Sequence, residues 1–337
     1  MERSIIDMGT LEEVPRLLIE VELQPVQGDR FQPTGFADLG AAIYENPEGM
    51  RMILVESAQS MANRLEQTCL DGSGPRISKD LIGVPYVLAK LKGSVDTETS
   101  SLVEAHRINS PFIITDEKFR DQFKGKSEYQ KGRPLNWSKI AKTMFFYDPN
   151  SLLHGVFMAN LEDGRIKVQR ALTGFIEAEG VREAASGGVK NNPLDPSGQI
   201  RAANHQDKDV YGNVPYHRME YTANRIVAYF NFDLALLDGY GLEPAAKQFL
   251  IALGLYKIRR LLVRGLRLRT ACDLTMKGGI NVISPGGFII PEEQKLLEAL
   301  QGSIGECKEK GLFADPPVTE LEISVVLKES KEEPEKA

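Results

Sequence analysis

Arg30-Phe31-Gln32-Pro33-Thr34-Gly35-Phe36, followed at Val55-Glu56-Ser57-Ala58-Gln59-Ser60-Met61-Ala62-Asn63-Arg64-Leu65-Glu66, packs an unusual density of hydrogen-bonding side chains into a loop and the segment beyond it. Pro33 and Gly35 punctuate a turn, Gln32 and Thr34 offer side-chain hydrogen bonds, and Arg30 offers a planar charged fork. The Asn46-Pro47-Glu48 sequence predicts a helix start, and Leu54, Ala58, Met61, Leu65 and Cys69 then recur at helical spacing as a core stripe. Glu56, Gln59, Ser60, Asn63, Arg64 and Gln67 fall on the remaining face. The block is rich in hydrogen-bonding side chains and holds no His, and no Cys before Cys69. That inventory suits gripping phosphates and sugars better than breaking bonds. A loop whose polar groups satisfy its own backbone would have the same composition, and the residues alone leave both readings open.

Working upstream, Leu17, Ile19, Val21 and Leu23 alternate with Glu20 and Glu22, which predicts a strand over Arg16–Gln24. Downstream, strands are expected at 81–89 and 102–108, a helix from Asn136 to about Phe146, and strand or mixed segments at 151–159 and 165–178. A long strand is expected over 216–232, with Met219, Tyr221, Ala223, Arg225, Val227, Tyr229 and Asn231 on one row. Pro244 opens a helix running to about Val263. A short strand at 279–283, a helix at 291–301 and a terminal strand at 318–328 follow. The order suits an α+β sandwich, one sheet with helices on one face. The aperiodic stretch 186–216 reads as a functional protrusion or a disordered loop.

Bulk properties narrow the function. The chain has 337 residues, enough for one elaborated domain or two modest ones. No apolar run approaches a bilayer span, and the N-terminus lacks signal-peptide character, so a cytoplasmic location is expected. Cys69, Cys272 and Cys307 lie far apart, without a CxxC partner. The net charge of −6 argues mildly against a free-standing nucleic-acid binder, yet it is an average over opposed regions. Lys257 to Arg269 carries six cations and no acid, and Lys118 to Lys142 is also strongly basic. Acids collect in 12–22, 292–309 and the tail. Arg260, Arg264 and Arg267 share one helical face, which fits a solvated or subunit-facing surface, an RNA-facing helix or a membrane-surface helix. The stretch 187–215, with Lys190, Arg201 and His205, is either a surface loop or a basic arm that orders on nucleic acid.

Catalytic signatures are weak. His106, His154, His205 and His217 form no HExxH, and there is neither a GxxxxGK[ST] loop nor a GxSxG elbow. Lys277-Gly278-Gly279 and Pro285-Gly286-Gly287 are glycine-rich turns flanking a strand. Asp38, Asp148 and Asp233 have no second group at useful spacing.

The block from Arg30 to Ala42, continued from Leu54 to Glu66, closely resembles the CRISPR-associated backbone subunit of subtype I-G (formerly I-U) Cascade effector complexes, in the RAMP superfamily. That resemblance implies an α+β, RRM-like (ferredoxin-like) palm over 1–327 as a single domain with large insertions. It places an extended thumb hairpin at 187–215 and leaves 328–337 as an acidic disordered tail. It implies copies stacked as a helical filament along a CRISPR guide RNA, gripping the backbone and leaving target DNA to base pairing. Implied partners are further copies, a large subunit, a guide-end-capping and RNA-processing subunit and a recruited helicase–nuclease, with no membrane and no cofactor. The RNA-binding residues so expected are Arg30, Gln32, Thr34, Gln59, Ser60, Asn63, Arg64, Lys190, Arg201, His205, Arg260 and Arg264. No catalysis is expected; the alternative is an RNA-cleaving RAMP nuclease.

Overall fold

Alternation of buried Leu17, Ile19, Val21 and Leu23 with half-covered neighbours makes Arg16–Pro25 a strand buried on one face. It lies near the middle of the main sheet. The computed structural model describes residues 5–36, 38–72, 74–200 and 212–327. Within them the sheet has eight strands: β1 (Arg16–Pro25), β2 (Ile43–Glu45), β3 (Arg51–Glu56), β4 (Leu172–Glu179), β5 (Arg225–Asp233), β6 (Arg267–Arg269), β7 (Cys272–Met276) and β8 (Asn281–Ser284). All pairings are antiparallel, in the order β6-β7-β1-β5-β4-β3-β2. β7 and β8 lie end to end along the same edge of β1, pairing with Leu23–Pro25 and Leu18–Glu20.

Helices α1 (Ala58–Gln67) and α2 (Pro244–Arg264) pack on the inner face, and α3 (Glu293–Glu309) packs against α2. At Gly174 of β4 a Cβ would run into the side chains of Phe230 and Met61, so glycine there lets α1 close onto the sheet. One contiguous core results, from Leu17 and Ile19 through Met61 and Leu65 to Phe249 and Leu253.

Four sequence expectations change. First, the Asn46-Pro47 pair does not start a helix. The Asn46 side chain accepts from Met50 N at 2.8 Å and Glu48 N at 3.2 Å, and Gly49 takes φ +76°, which closes the turn between β2 and β3. The run Met52-Ile53-Leu54-Val55 is therefore strand, paired with β4 and β2. α1 begins at Ala58, with Ser57 as its cap accepting from Ser60 N at 3.3 Å.

Second, the long strand expected over 216–232 is broken at Ala223-Asn224. Asn224 N donates to Glu179 O at 2.9 Å, and Gly180 opposite takes φ +64°. Beyond that corner a separate hairpin, Arg182–Lys190 against Val214–Thr222, continues the β4–β5 pair and is largely exposed on both faces. The expected thumb at 187–215 overlaps this hairpin; residues 201–211, and the tail 328–337, lie outside the described residues.

Third, residues 102–108 form no strand. Arg107–Asn109 is a single 3₁₀ turn in which Arg107 takes φ +50°. Fourth, the terminal strand Val318–Val325 joins a second sheet, parallel to Tyr86–Gly93, which pairs with Thr97–Ser100. The α+β class stands as mixed helix and sheet, but not as one sheet with helices on one face.

A buried polar cluster sits behind α1. Arg107 grips Glu66 with both forks, Nε–Oε1 at 2.6 Å and Nη2–Oε2 at 2.8 Å, and donates to Gly155 O at 3.0 Å. Lys257, counted in the cationic run 257–269, is fully buried and bonds Asn150 Oδ1 and His154 Nε2. Burial, and then the Lys257 charge, hold His154 well below its ordinary pKa.

Asp148, one of the acids considered for hydrolysis, is fully buried and accepts from Ser151 Oγ at 2.8 Å and Asn150 N at 3.1 Å. Burial pushes its pKa up to about 6; Glu66 adds to this, while Ser151, Ser101 and Arg107 oppose it. Folded Asp148 thus keeps a proton that the unfolded chain loses near pH 4, and its contribution to stability falls as pH rises from about 4 to about 6. The variant Asp148→Asn, which has no such step, is expected to gain stability relative to wild type between about pH 4 and about pH 7. Urea midpoints at the two pH values check this, and a difference independent of pH would contradict it.

Candidate nucleic-acid interface

Glu56 organises the site. As the last residue of β3 it is carried inward by strand geometry and is fully buried, not on an outer helical row as its spacing suggested. A buried carboxylate needs partners, and three converge on it. Arg64, two turns along α1, donates Nε to Oε1 at 2.6 Å. Ser60, one turn along, donates its hydroxyl to the same oxygen, and Arg269 of β6 donates Nη2 to Oε2. Arg64 also donates Nη2 to Leu268 O at 2.6 Å, and Arg269 donates Nη1 to Gln32 O at 2.8 Å. Two guanidinium charges against one carboxylate leave the cluster with a net charge of +1.

A cleft opens on each side of Glu56. The first, of about 260 Å³, is lined by Arg64, Gln67 and Thr68 from α1 and by Arg260 and Arg264 from the last turns of α2. Arg260 donates to Tyr256 Oη at 2.8 Å and to Glu293 at 3.0 Å; Arg264 sits 3.3 Å from Glu293 with 64% of its side chain exposed. The second cleft, of about 480 Å³, is lined by Gln32, Thr34 and Gly35, by Arg269, and by Arg218, Met219 and Tyr221 at the base of the hairpin. Phe31, fully buried, pairs with Tyr221 and docks the 30–36 loop against the hairpin.

Arg218 belongs to a second arrangement of the same kind. Glu220, 6% exposed in its side chain, lies 2.7 Å from Arg218 and 3.5 Å from Arg30. Arg30 and Arg218 line a third cleft together with Glu220, Asp29 and Asp273, so acids offset the cations there. The excess of positive charge therefore lies in the first two clefts.

The structure thus gathers Arg64, Arg260 and Arg264 in one cleft and Gln32 and Thr34 in the next, while Ser60 bonds Glu56. Arg30 opens the third. Gln59 and Asn63 are exposed on α1, and Asn63 faces a different hollow with Glu66 and Glu104. Lys190 stands exposed far along the hairpin, in register with Val214. Arg201 and His205 lie outside the described residues. Sequence reasoning missed Arg218, Glu220 and Arg269 and placed Glu56 on the wrong face. The alternation of Arg218 and Glu220, two apart on one strand face, was the available signal. Arg269 was only one of six cations in a run.

Residues 17–183 match the family described as CRISPR-associated protein GSU0053 (Cas_GSU0053). That match contains the 30–36 loop, Glu56 and Arg64, and ends within the first strand of the hairpin. No curated protein matches the chain. Among solved structures, "CRISPR RNA-guided surveillance complex, pre-nicking" is 12% identical with a TM-score of 0.38, over 88% of this chain and 89% of that one. "Crystal structure of Thermofilum pendens Csc2" is 10% identical with a TM-score of 0.34, over 92% of each chain. Among the described residues no helix is long and apolar enough to cross a membrane.

Proposed function

We propose that the chain is a non-catalytic, guide-RNA-binding backbone subunit of a type I CRISPR effector, of the subtype I-G kind. The observation that carries this reading is the cleft in which Arg64, Arg260 and Arg264 converge beside the Glu56–Arg269 cluster. Arginine forks with amide and hydroxyl neighbours suit phosphate and ribose oxygens, which hold a strand without reading its sequence. The match of residues 17–183 to a CRISPR-associated family supports the same assignment. In this reading the eight-stranded sheet is an RRM-like palm and the exposed hairpin is the thumb that crosses the guide. Copies repeat as a filament in the cytoplasm, beside a large subunit, a guide-end-capping and RNA-processing subunit and a recruited helicase–nuclease. Target DNA is met through the guide, by base pairing. Cutting belongs to another subunit.

Purified chain should carry nucleic acid, visible as a raised 260/280 nm absorbance ratio, and lose it steeply as salt rises. Sizing the extracted RNA tests for repeating occupancy. A protein-like ratio with a discrete oligomer and no RNA affinity would overturn the assignment in favour of a protein scaffold. Cleavage of added RNA, abolished by a single acidic substitution, would overturn its non-catalytic part.

A further inference from the structure

Glu56 presents a contradiction if charge is all that the site supplies. A fully buried carboxylate is costly to desolvate, and in a phosphate-binding region it also weakens the local positive potential. Charge attraction alone would favour its absence. Its bonds suggest what it contributes instead. Oε1 holds Arg64 from α1, and Oε2 holds Arg269 from β6, one guanidinium facing each cleft. Backbone carbonyls fix each arginine further, Leu268 O for Arg64, and Gln32 O and Val55 O for Arg269 Nη1. Both side chains keep only about a fifth to a quarter of their surface, at 21% and 24% exposure. Nε and Nη2 are the Arg64 donors used in these bonds, and Arg64 lines the first cleft with Arg260 and Arg264.

We infer that Glu56 is a positioning residue for phosphate recognition: it clamps Arg64 and Arg269 in fixed orientations so that two successive phosphates of one RNA strand meet prepared guanidinium donors in adjacent clefts. The inference rests on the RNA-binding reading above. Long arginine side chains lose conformational freedom when they engage a ligand, and a buried anchor removes that cost beforehand. Ser60 completes the clamp by occupying the side of Oε1 that faces α1, so neither oxygen is free to rotate away. Glu220 stands in the same relation to Arg30 and Arg218, with more surrounding acid.

The sign of one substitution separates positioning from charge. Glu56→Gln removes a negative charge at constant size, so a charge account predicts tighter binding of a fluorescein-labelled, mixed-sequence single-stranded RNA. Positioning predicts the reverse, binding about tenfold weaker, as when one partner of a desolvated ion pair is removed. The slope of affinity against salt should also fall by roughly 0.7 for each guanidinium that releases its phosphate. Equal or tighter binding by a folded Glu56→Gln chain overturns the inference.

Should that variant lose its cooperative thermal transition, Arg64→Lys and Arg269→Lys keep the charge but lack a planar fork able to bridge carboxylate and carbonyl. Each is then expected to bind about tenfold more weakly. Unchanged affinity in both overturns the inference. If wild type itself binds no RNA in a salt-dependent manner, the functional assignment fails and the inference falls with it. Wild-type binding with unweakened variants removes the inference alone.

Discussion

Removal of three guanidinium groups, in Arg64→Ala/Arg260→Ala/Arg264→Ala, is expected to weaken single-stranded RNA binding by roughly a hundredfold to a thousandfold at moderate salt. All three line the same cleft, so one phosphate or two neighbouring phosphates would lose every fork at once. The slope of log affinity against log salt should become shallower by roughly 0.7 to 1.4, at about 0.7 for each phosphate released. Loss should be uniform across RNA sequences, because backbone contacts carry no base information. Arg264→Ala alone is the cleaner arm. Its side chain is mostly exposed and its pairing with Glu293 is long, so folding should hold within about 0.5 kcal/mol while affinity drops. Fluorescence anisotropy over a salt series measures both quantities. An unaltered slope in the triple variant would place the RNA elsewhere on the molecule.

Arg107→Ala is expected to destabilise the fold by about 3–5 kcal/mol, because it strands a buried carboxylate. Glu66 is 6% exposed in its side chain, and both of its oxygens are taken by Arg107. The arginine also satisfies Gly155 O and holds a left-handed backbone conformation that a non-glycine residue adopts at some cost. Removing both partners, in Glu66→Gln/Arg107→Met, should be much milder than the single loss, since no unpaired charge remains. Urea denaturation of the two variants beside wild type checks this. A loss below about 1 kcal/mol in Arg107→Ala would mean that water reaches the pair. The result bears on the site, because Glu66 lies on α1 two residues beyond Arg64.

The two expectations differ in what they ask of the same helix. Arg64 turns to one side of α1, toward Glu56 and the clefts, and Glu66 to the other, toward Arg107. Much of this was legible in sequence. The alternation of Leu17 to Leu23 marked β1, the helix expected from Asn136 is the Trp137–Tyr147 helix that Asn136 caps, and Pro244 marked the start of α2. These are local signals, read from side-chain period and capping chemistry within one or two turns. The six residues Arg51–Glu56 were not legible in that way. A short apolar run satisfies strand and helix alike, and only pairing with β4 and β2 settles it.

Residue order alone carries the inventory: a polar, arginine-bearing block from Arg30 to Glu66, a cationic run from Lys257 to Arg269, and the α+β order of elements. Tertiary structure alone decided which of those charges can act outward. Lys257 is sealed in the core and Arg107 is tied to Glu66, while Arg64 and Arg269, distant in the chain, meet at one buried carboxylate. The reason is physical. Period and composition fix which face of an element is apolar, but the partner of a charge is set by whichever opposite charge packing brings within about 4 Å. That distance is created by the sheet order, which places β6 beside β7 and α1 beneath β4, and it has no counterpart along the chain.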